Sequence, residues 1–221
     1  MKKQSKLYFI VVTLFTMLTV VSASIAVPIV CRPFYYAHIE LLDMPEQTPW
    51  TAEEIRQAYD EMLDFCLFDT PFSTGVLQWS EEGRSHFADC AVLFRLDFVV
   101  LLISLLALLI CFILYQKGIS PARPLKHGPA LWSGSLLLIL FLLVGIIGAV
   151  NFDALFVVFH QIFFPGKNNW LFDPATDQII EVMPEVFFRN CGILIVALIV
   201  ISCVGLILWD ILKSKRKAAK Q

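Results

Sequence analysis

Four long stretches without a charged residue dominate this sequence. They cover residues 7–31, 98–116, 128–152 and 190–209, and contain 25, 19, 25 and 20 residues. A helix needs about 20 apolar residues to cross the ~30 Å hydrocarbon core of a bilayer. Only 16% of the 221 residues are charged, whereas soluble proteins average about a quarter. The chain is therefore predicted to be a polytopic membrane protein, which excludes a soluble enzyme, a disordered chain and a nucleic-acid-binding protein.

The distribution of Lys and Arg predicts the orientation. Of 17 basic residues, 11 precede the first stretch, follow the last or lie between the second and third. The segment at 32–95 instead holds 12 carboxylates against four arginines. Because cytoplasmic loops collect Lys and Arg, both termini are predicted to be cytoplasmic, with two acidic segments outside.

The predicted fold class is an all-α polytopic membrane protein with four transmembrane helices and a small α/β extracytoplasmic cap. The expected boundaries are transmembrane helices at 1–30, 96–116, 130–152 and 190–212, cap segments at 31–95 and 153–189, a cytoplasmic loop at 117–129 and a basic tail at 213–221. A cleavable signal peptide ending near Ser24-Ile25-Ala26 is an alternative for the first span. Its 25 uncharged residues exceed the usual apolar core of about 7–15, which favours a retained helix.

The first cap segment contains two helix starts. Thr51 and Glu54 have capping-box spacing and predict a helix over 52–65. Ile55, Tyr59 and Met62 fall on one face of it, so this helix should pack on protein or on the membrane surface. Ser80 is expected to cap a second helix that begins at Glu81-Glu82 and continues into span two.

The second cap segment predicts a small hairpin. Its strands would be Trp170-Leu171-Phe172 and 178–182, joined by the turn residues 173–177. Pro184 is placed to start the helix of span four.

Candidate chemistry is confined to a few side chains. No nucleophile elbow, Walker loop, zinc-protease motif or dinucleotide turn occurs. His38 and Asp43 have a spacing used by some glycerolipid acyltransferases, without a supporting motif. His127, in the basic loop, is expected to be solvated or to face lipid headgroups. Cys31, Cys66 and Cys90 allow at most one disulfide outside the spans.

His86 and His160 are the more informative pair. They lie 12 residues before Phe98 and 10 after Val150, so straight helices would raise them ~18 and ~15 Å above those points. Asp89 follows His86 by one helical turn and is expected to fix its tautomer.

Aromatic residues surround both histidines in the sequence. Six are predicted to form a substrate pocket: Trp79, Phe87, Phe159, Phe163, Trp170 and Phe172. Three more lie nearby: Phe94, Phe156 and Phe164. A metal held by the histidines with Asp89 or Asp173 is the weaker alternative, because no third ligand has suitable spacing. No cofactor or metal is therefore predicted.

Two stretches resemble the histidine motifs of the bacterial lipoprotein intramolecular transacylases. The first is Trp79-Ser80-Glu81-Glu82-Gly83-Arg84-Ser85-His86-Phe87-Ala88-Asp89. The second combines Phe159-His160-Gln161-Ile162-Phe163-Phe164, Trp170-Leu171-Phe172-Asp173-Pro174 and Pro184-Glu185-Val186-Phe187-Phe188. Four spans with both termini inside also match that family.

The resemblance implies a reaction and a location. The family moves the sn-2 acyl chain of a diacylglyceryl-modified lipoprotein onto the α-amino group of its N-terminal cysteine, at the outer face of the bacterial plasma membrane. His86 and His160 would be the catalytic residues, supported by Asp89 and Asp173, and the partners would be the lipoprotein and membrane lipids. Intermolecular acyl transfer, a lipase and a non-enzymatic four-span adaptor remain alternatives. The sequence leaves the oligomeric state open.

Overall fold

The computed structural model describes residues 3–218. The first two residues of the predicted span 1–30 and the last three of the basic tail 213–221 lie outside the described chain. The described chain is mostly helical, as predicted. Its helices are α1 (Lys6–Val30), α2 (Arg32–Leu41), α3 (Met44–Gln47), α4 (Ala52–Phe68), α5 (Glu81–Gln116), α6 (Pro129–Val150), α7 (Phe152–Phe163), α8 (Ile179–Val182) and α9 (Glu185–Ala218). Two three-residue strands, β1 (Lys3–Ser5) and β2 (Ile119–Pro121), pair in parallel, and Pro124–Lys126 forms one 3-10 turn.

Four of the described helices are long and apolar enough to cross a membrane, which confirms the predicted span count. They are α1, α5, α6 and α9. Leu102, Leu106 and Ile139 on these helices are half or more exposed, as expected for side chains that face lipid. The uncharged part of α5, residues 98–116, suffices to cross the bilayer. Residues 81–97 of the same helix carry six charges and lie outside the membrane-spanning segment.

The chain divides into two compact units. The first unit comprises residues 3–25, 97–146 and 194–218, and the second comprises 26–96 and 147–193. In the first unit, Thr19 of α1 donates to Ser104 of α5 over 3.0 Å, and Leu137, Ile199 and Cys203 form a small buried cluster.

The second unit has the larger core, and α4 supplies much of it. The predicted capping box is formed, because Thr51 and Glu54 each accept a hydrogen bond from the other's backbone N–H. Ile55, Tyr59 and Met62 are buried, so the apolar face packs on protein. Tyr59 stacks on Tyr35 at 3.7 Å between ring centroids.

The predicted hairpin at 170–182 is wrong, and no strand occurs among the described residues of the second unit. The backbone N–H groups of Thr176 and Asp177 both donate to the Asp173 carbonyl, which closes a tight turn. Ile179 and Val182 then form the ends of α8 and are both buried. Residues three apart share a face of a helix but not of a strand, so burying both side chains favours the helix.

A break after α6 separates His160 from span three. Asn151 has extended backbone angles, and its side chain accepts a hydrogen bond from the Ala154 N–H over 2.9 Å, which starts α7. His160 therefore does not lie on a straight continuation of span three, so the ~15 Å height for a straight helix does not apply. Asn favours helix starts because its side chain competes for backbone N–H groups.

In the first unit, α9 buries an acidic side chain against the loop before α6. Asp210 is only 2% exposed. It accepts hydrogen bonds from the Gly128 N–H (3.1 Å) and His127 Nδ1 (3.0 Å), and the Arg123 guanidinium lies 3.6 Å away. His127 is thus bonded to protein instead of being free for solvent or lipid headgroups.

Candidate active site

His86 is held by a well-ordered helix start. The Ser80 hydroxyl accepts a hydrogen bond from the Gly83 N–H over 3.0 Å, which confirms the predicted cap of α5. The buried Asp177 carboxylate in turn accepts the Ser80 N–H (2.9 Å) and hydroxyl (2.8 Å). His86 lies in the second turn of α5, and its side chain is only 7% exposed.

His160 is oriented by its own helix. Its Nδ1 lies 2.7 Å from the Phe156 carbonyl oxygen. A carbonyl only accepts hydrogen bonds, so Nδ1 carries the proton and Nε2 keeps its lone pair. His160 is 6% exposed.

The two predicted histidines are neighbours in the second unit. Their ring centroids lie 5.7 Å apart with an interplanar angle of 31°. His86 Nε2 contacts the Cys90 sulfur at 3.5 Å, while the buried Nδ1 of His86 has no hydrogen-bond partner. The α5 and α7 helices thus present one imidazole each, with an unused nitrogen on both.

Burial keeps both imidazoles neutral. Burial removes water from the His86 ring and is the main reason that its pKa is lowered to about 4; the neighbouring His160 lowers it further. Burial also lowers the pKa of His160, although its hydrogen bond to the Phe156 carbonyl opposes the shift. Each ring is therefore unprotonated near neutral pH, which leaves its unpaired nitrogen lone pair free for a substrate proton.

Aromatic rings enclose the pair. Measured between ring centroids, Trp170 stacks on His160 at 4.6 Å and Phe156 lies 4.1 Å from His160. Phe164 and Phe172 lie 4.9 and 5.5 Å from His86. Phe156 and Phe164 were not among the six predicted pocket residues. They lie four residues before and after His160 in sequence, and this helical spacing was the available signal.

The other predicted pocket residues vary in their distance from the histidines. Phe159 is 5.4 Å from His160 and Phe87 is 6.0 Å from His86. Phe163 packs on Phe159 instead, at 4.7 Å. Trp79 reaches the site only through other rings, packing on Phe72, which stacks on Phe87.

Asp89 was expected to fix the tautomer of His86, but it makes no hydrogen bond to that ring. Its carboxylate accepts hydrogen bonds from Lys167 Nζ at 2.5 Å and from Asn169 Nδ2 at 3.1 Å. Asp89 therefore fastens the 164–172 loop, which carries Trp170 and Phe172, to α5.

Removing this ion pair should moderately lower the rate of the acyl transfer that the sequence predicts. Asp89→Asn and Lys167→Ala should each lower the rate about two- to fivefold, because a half-exposed pair contributes about 1 kcal/mol or less. Rates of both single variants and the double variant, measured at low and high salt, check this. The double variant should be no slower than the slower single variant, and the loss should shrink with salt. Additive losses would contradict the coupling.

The second predicted acidic residue lies elsewhere. Asp173 is exposed and accepts the Ala175 N–H in its own turn. Asp177, which sequence reasoning missed, is the buried carboxylate of this segment. No sequence pattern distinguishes the two, because Asp177 is defined by its contact with Ser80, 97 residues away.

Cys90 and a bound metal are the two other possible sources of chemistry at this site. Cys31, Cys66 and Cys90 are free. Burial raises the pKa of the Cys90 thiol, so this sulfur is protonated at neutral pH and a weak nucleophile. Among residues 3–218, no three His, Cys, Asp or Glu side chains converge to form a metal site.

The model of one protein family, described as lipoprotein intramolecular transacylase Lit, matches residues 10–188. The chain belongs to this family. It is therefore an integral membrane acyltransferase, a lipoprotein intramolecular transacylase, and the resemblance seen in the two histidine motifs is confirmed. No curated protein sequence matches the chain.

Solved structures of Lit from Bacillus cereus share the fold. The first has a TM-score of 0.84 at 24% identity and covers 96% of this chain and 97% of that chain. A second, in which one histidine is replaced by arginine, has a TM-score of 0.79 at 24% identity and covers 97% and 94%. A third, with the replacement by alanine, has a TM-score of 0.76 at 24% identity and covers 95% and 94%.

Proposed function

We propose that this transacylase moves the sn-2 acyl chain of a diacylglyceryl-modified lipoprotein onto the α-amino group of its own N-terminal cysteine, with His86 and His160 as general base and acid. The observation that carries the proposal is the pair of buried imidazoles whose ring centroids lie 5.7 Å apart. Each ring has one nitrogen that no protein group uses. Such an arrangement serves a reaction in which one proton leaves a substrate atom and another is delivered nearby.

The reaction balances with these two groups alone. The amine nitrogen forms a C–N bond to the ester carbonyl carbon and loses a proton to His86 Nδ1. The C–O bond to the sn-2 oxygen of the glyceryl group breaks, and the proton passes from His86 to the Nε2 lone pair of His160 and on to that oxygen, so both rings end neutral as they began. No water is consumed, and no acyl-enzyme is required. The product is an N-acyl, lyso-glyceryl lipoprotein.

This choice of base and acid follows from the surroundings of the two rings. His86 is the more strongly desolvated of the pair, and its pKa is lowered to about 4. His160 Nδ1 bonds to the Phe156 carbonyl, an interaction that favours its protonated form. His160 therefore holds the relayed proton more readily than His86 does, and it passes that proton to the departing oxygen.

Positioning should contribute more than proton transfer. Well-oriented intramolecular reactions reach effective molarities of ~10⁵–10⁸ M. Trp170, Phe156, Phe164 and Phe172 enclose the histidines, and these rings would fold the lipid back onto its own amine. Excluding water from the same space would prevent hydrolysis of the ester.

The charge distribution supports a cytoplasmic location for both termini and an outer location for the histidines. Eleven of the 17 Lys and Arg residues lie at the termini or between spans two and three. A reporter fused after Gln116 should accordingly be cytoplasmic, and one placed at Gly166 should be external.

Tandem mass spectrometry of a lipoprotein's N-terminal lipopeptide tests the proposed reaction. In cells with and without this protein, the lipopeptide mass should be unchanged, while fragments show one acyl group moved to nitrogen. A gain of one acyl chain would show a phospholipid donor, and a loss would show hydrolysis. No difference on a confirmed diacylated lipoprotein would favour the adaptor.

The pH profile should follow the substrate and not the histidines. Because the pKa of His86 is lowered to about 4, this base is already neutral above about pH 6. The rate should rise as the substrate α-amine loses its proton, around pH 8. Initial rates from pH 5 to 9 on a purified lipopeptide measure this. A step between pH 6 and 7 would show that His86 titrates as ordinary imidazole and would contradict the assignment.

A further inference from the structure

Two buried side-chain atoms in the described part of the second unit have no hydrogen-bond partner: His86 Nδ1 and Asn169 Oδ1. Buried polar atoms are nearly always paired in native proteins, because an unpaired one costs about 1–3 kcal/mol. The His86 atom is the proposed base. An unpaired acceptor in the same site calls for a ligand with an N–H or O–H donor.

The orientation of Asn169 is fixed by its neighbours. Its Nδ2 donates to Asp89 Oδ2 at 3.1 Å and lies 3.4 Å from the Ser85 hydroxyl. An ionised carboxylate accepts hydrogen bonds only, so the amide nitrogen must face Asp89 and the carbonyl oxygen must point away. Oδ1 is therefore held as a ready acceptor.

Asn169 is linked to both histidines through one neighbouring residue each. Ser85, which it contacts, immediately precedes His86 on α5. Trp170, the next residue in the loop, stacks on His160 at 4.6 Å. This placement allows a group bonded to Asn169 to lie near the proposed base and acid.

We propose that Asn169 Oδ1 binds the α-amino group of the substrate cysteine and points its lone pair at the ester carbonyl. This inference rests on the proposed function, in which that amine is the acyl acceptor. An amide oxygen suits the task because it accepts an N–H bond without adding a negative charge. A carboxylate would stabilise the ammonium form, which cannot attack. The charge of the nearby Asp89 is offset by Lys167 at 2.5 Å.

Binding measurements with unreactive ligands test this proposal independently of catalysis. The first ligand is a dialkyl-ether lipopeptide, which cannot transfer its sn-2 chain, and the second is the same molecule without its α-amino group. The wild-type protein should bind the amino form about tenfold more tightly, the effect of one well-placed hydrogen bond to a buried acceptor. Asn169→Ala should lose most of this preference, and any remainder is what His86 Nδ1 contributes.

A matched variant separates amine binding from loop anchoring. Lys167→Ala loosens the same loop but leaves Oδ1 in place, so it should keep most of the tenfold preference. If Asn169→Ala does not fold, Asn169→Ser, whose hydroxyl is too short to reach, should show the same loss of preference. Equal wild-type affinities, or an unchanged preference in the Asn169 variants, would overturn the proposal. Neither result depends on whether the histidines catalyse the transfer.

Discussion

Replacing either His86 or His160 with alanine is expected to lower the rate of acyl transfer by about 10²–10⁴-fold, the usual contribution of general acid–base catalysis. Both variants should still fold, because among residues 3–218 these two rings hydrogen-bond only to the Cys90 sulfur and to the Phe156 carbonyl. Initial rates on a diacylglyceryl lipopeptide, with thermal unfolding of the purified protein, measure the two properties separately. Near-wild-type transfer by either variant would remove the assignment.

His38 provides the contrasting control. It is equally buried, but its Nδ1 bonds to the Phe34 carbonyl at 2.7 Å and its Nε2 accepts from Asn190 at 3.0 Å. Both nitrogens are occupied, and the ring packs against Phe187 at 5.3 Å. His38→Ala should lower the unfolding temperature, whereas its folded fraction should transfer at the wild-type rate. This contrast separates a histidine that supports the core from one that performs chemistry.

Gly83→Ala should produce the next largest loss. A Cβ atom at residue 83 would lie 2.1 Å from Asp177 Oδ1 and 2.9 Å from its Cγ. The Asp177 carboxylate would have to move away from Ser80. This would weaken the start of α5 and leave the buried carboxylate without the hydrogen bonds that Ser80 donates. We expect an unfolding temperature about 5 °C lower and a rate reduced about tenfold or more, because His86 lies one turn away.

The matched control for Gly83 is Gly205 in α9. Nothing lies within 4 Å of a Cβ atom at residue 205, and alanine has a higher helix propensity than glycine. Gly205→Ala should therefore leave rate and stability unchanged or slightly improved. If Gly83→Ala unfolds at the wild-type temperature, the Ser80–Asp177 contact does not support the site.

The sequence alone predicted the parts of the fold that depend on neighbouring residues. Four uncharged runs marked the spans, and local capping residues marked the starts of α4 and α5. Thr51 and Glu54 act across one helical turn, so their role is visible without a tertiary structure. Asn151 carries the same kind of local signal, and its side chain starts α7 at the break after α6.

The sequence singled out His86 and His160, whose catalytic role stays a prediction, but it did not predict the residues that hold them in place. His86 and His160 could be found because few side chains in an apolar chain can carry a proton. The partners of Asp89 lie 78 and 80 residues away, and no periodicity in the sequence links them. The buried role of Asp177 and the unpaired oxygen of Asn169 are likewise properties of packing, so only the folded chain identifies them.

The buried Asp210 has a consequence for the order of biosynthesis. Gly128 and His127, which bond to its carboxylate, are synthesised 82 and 83 residues before it. At elongation rates of about 5–20 residues per second, this interval lasts roughly ten seconds. During that time the loop before α6 has no carboxylate to receive its donors. The first unit can therefore complete its folding only after α9 enters the membrane, so assembly of this unit ends with its most C-terminal helix.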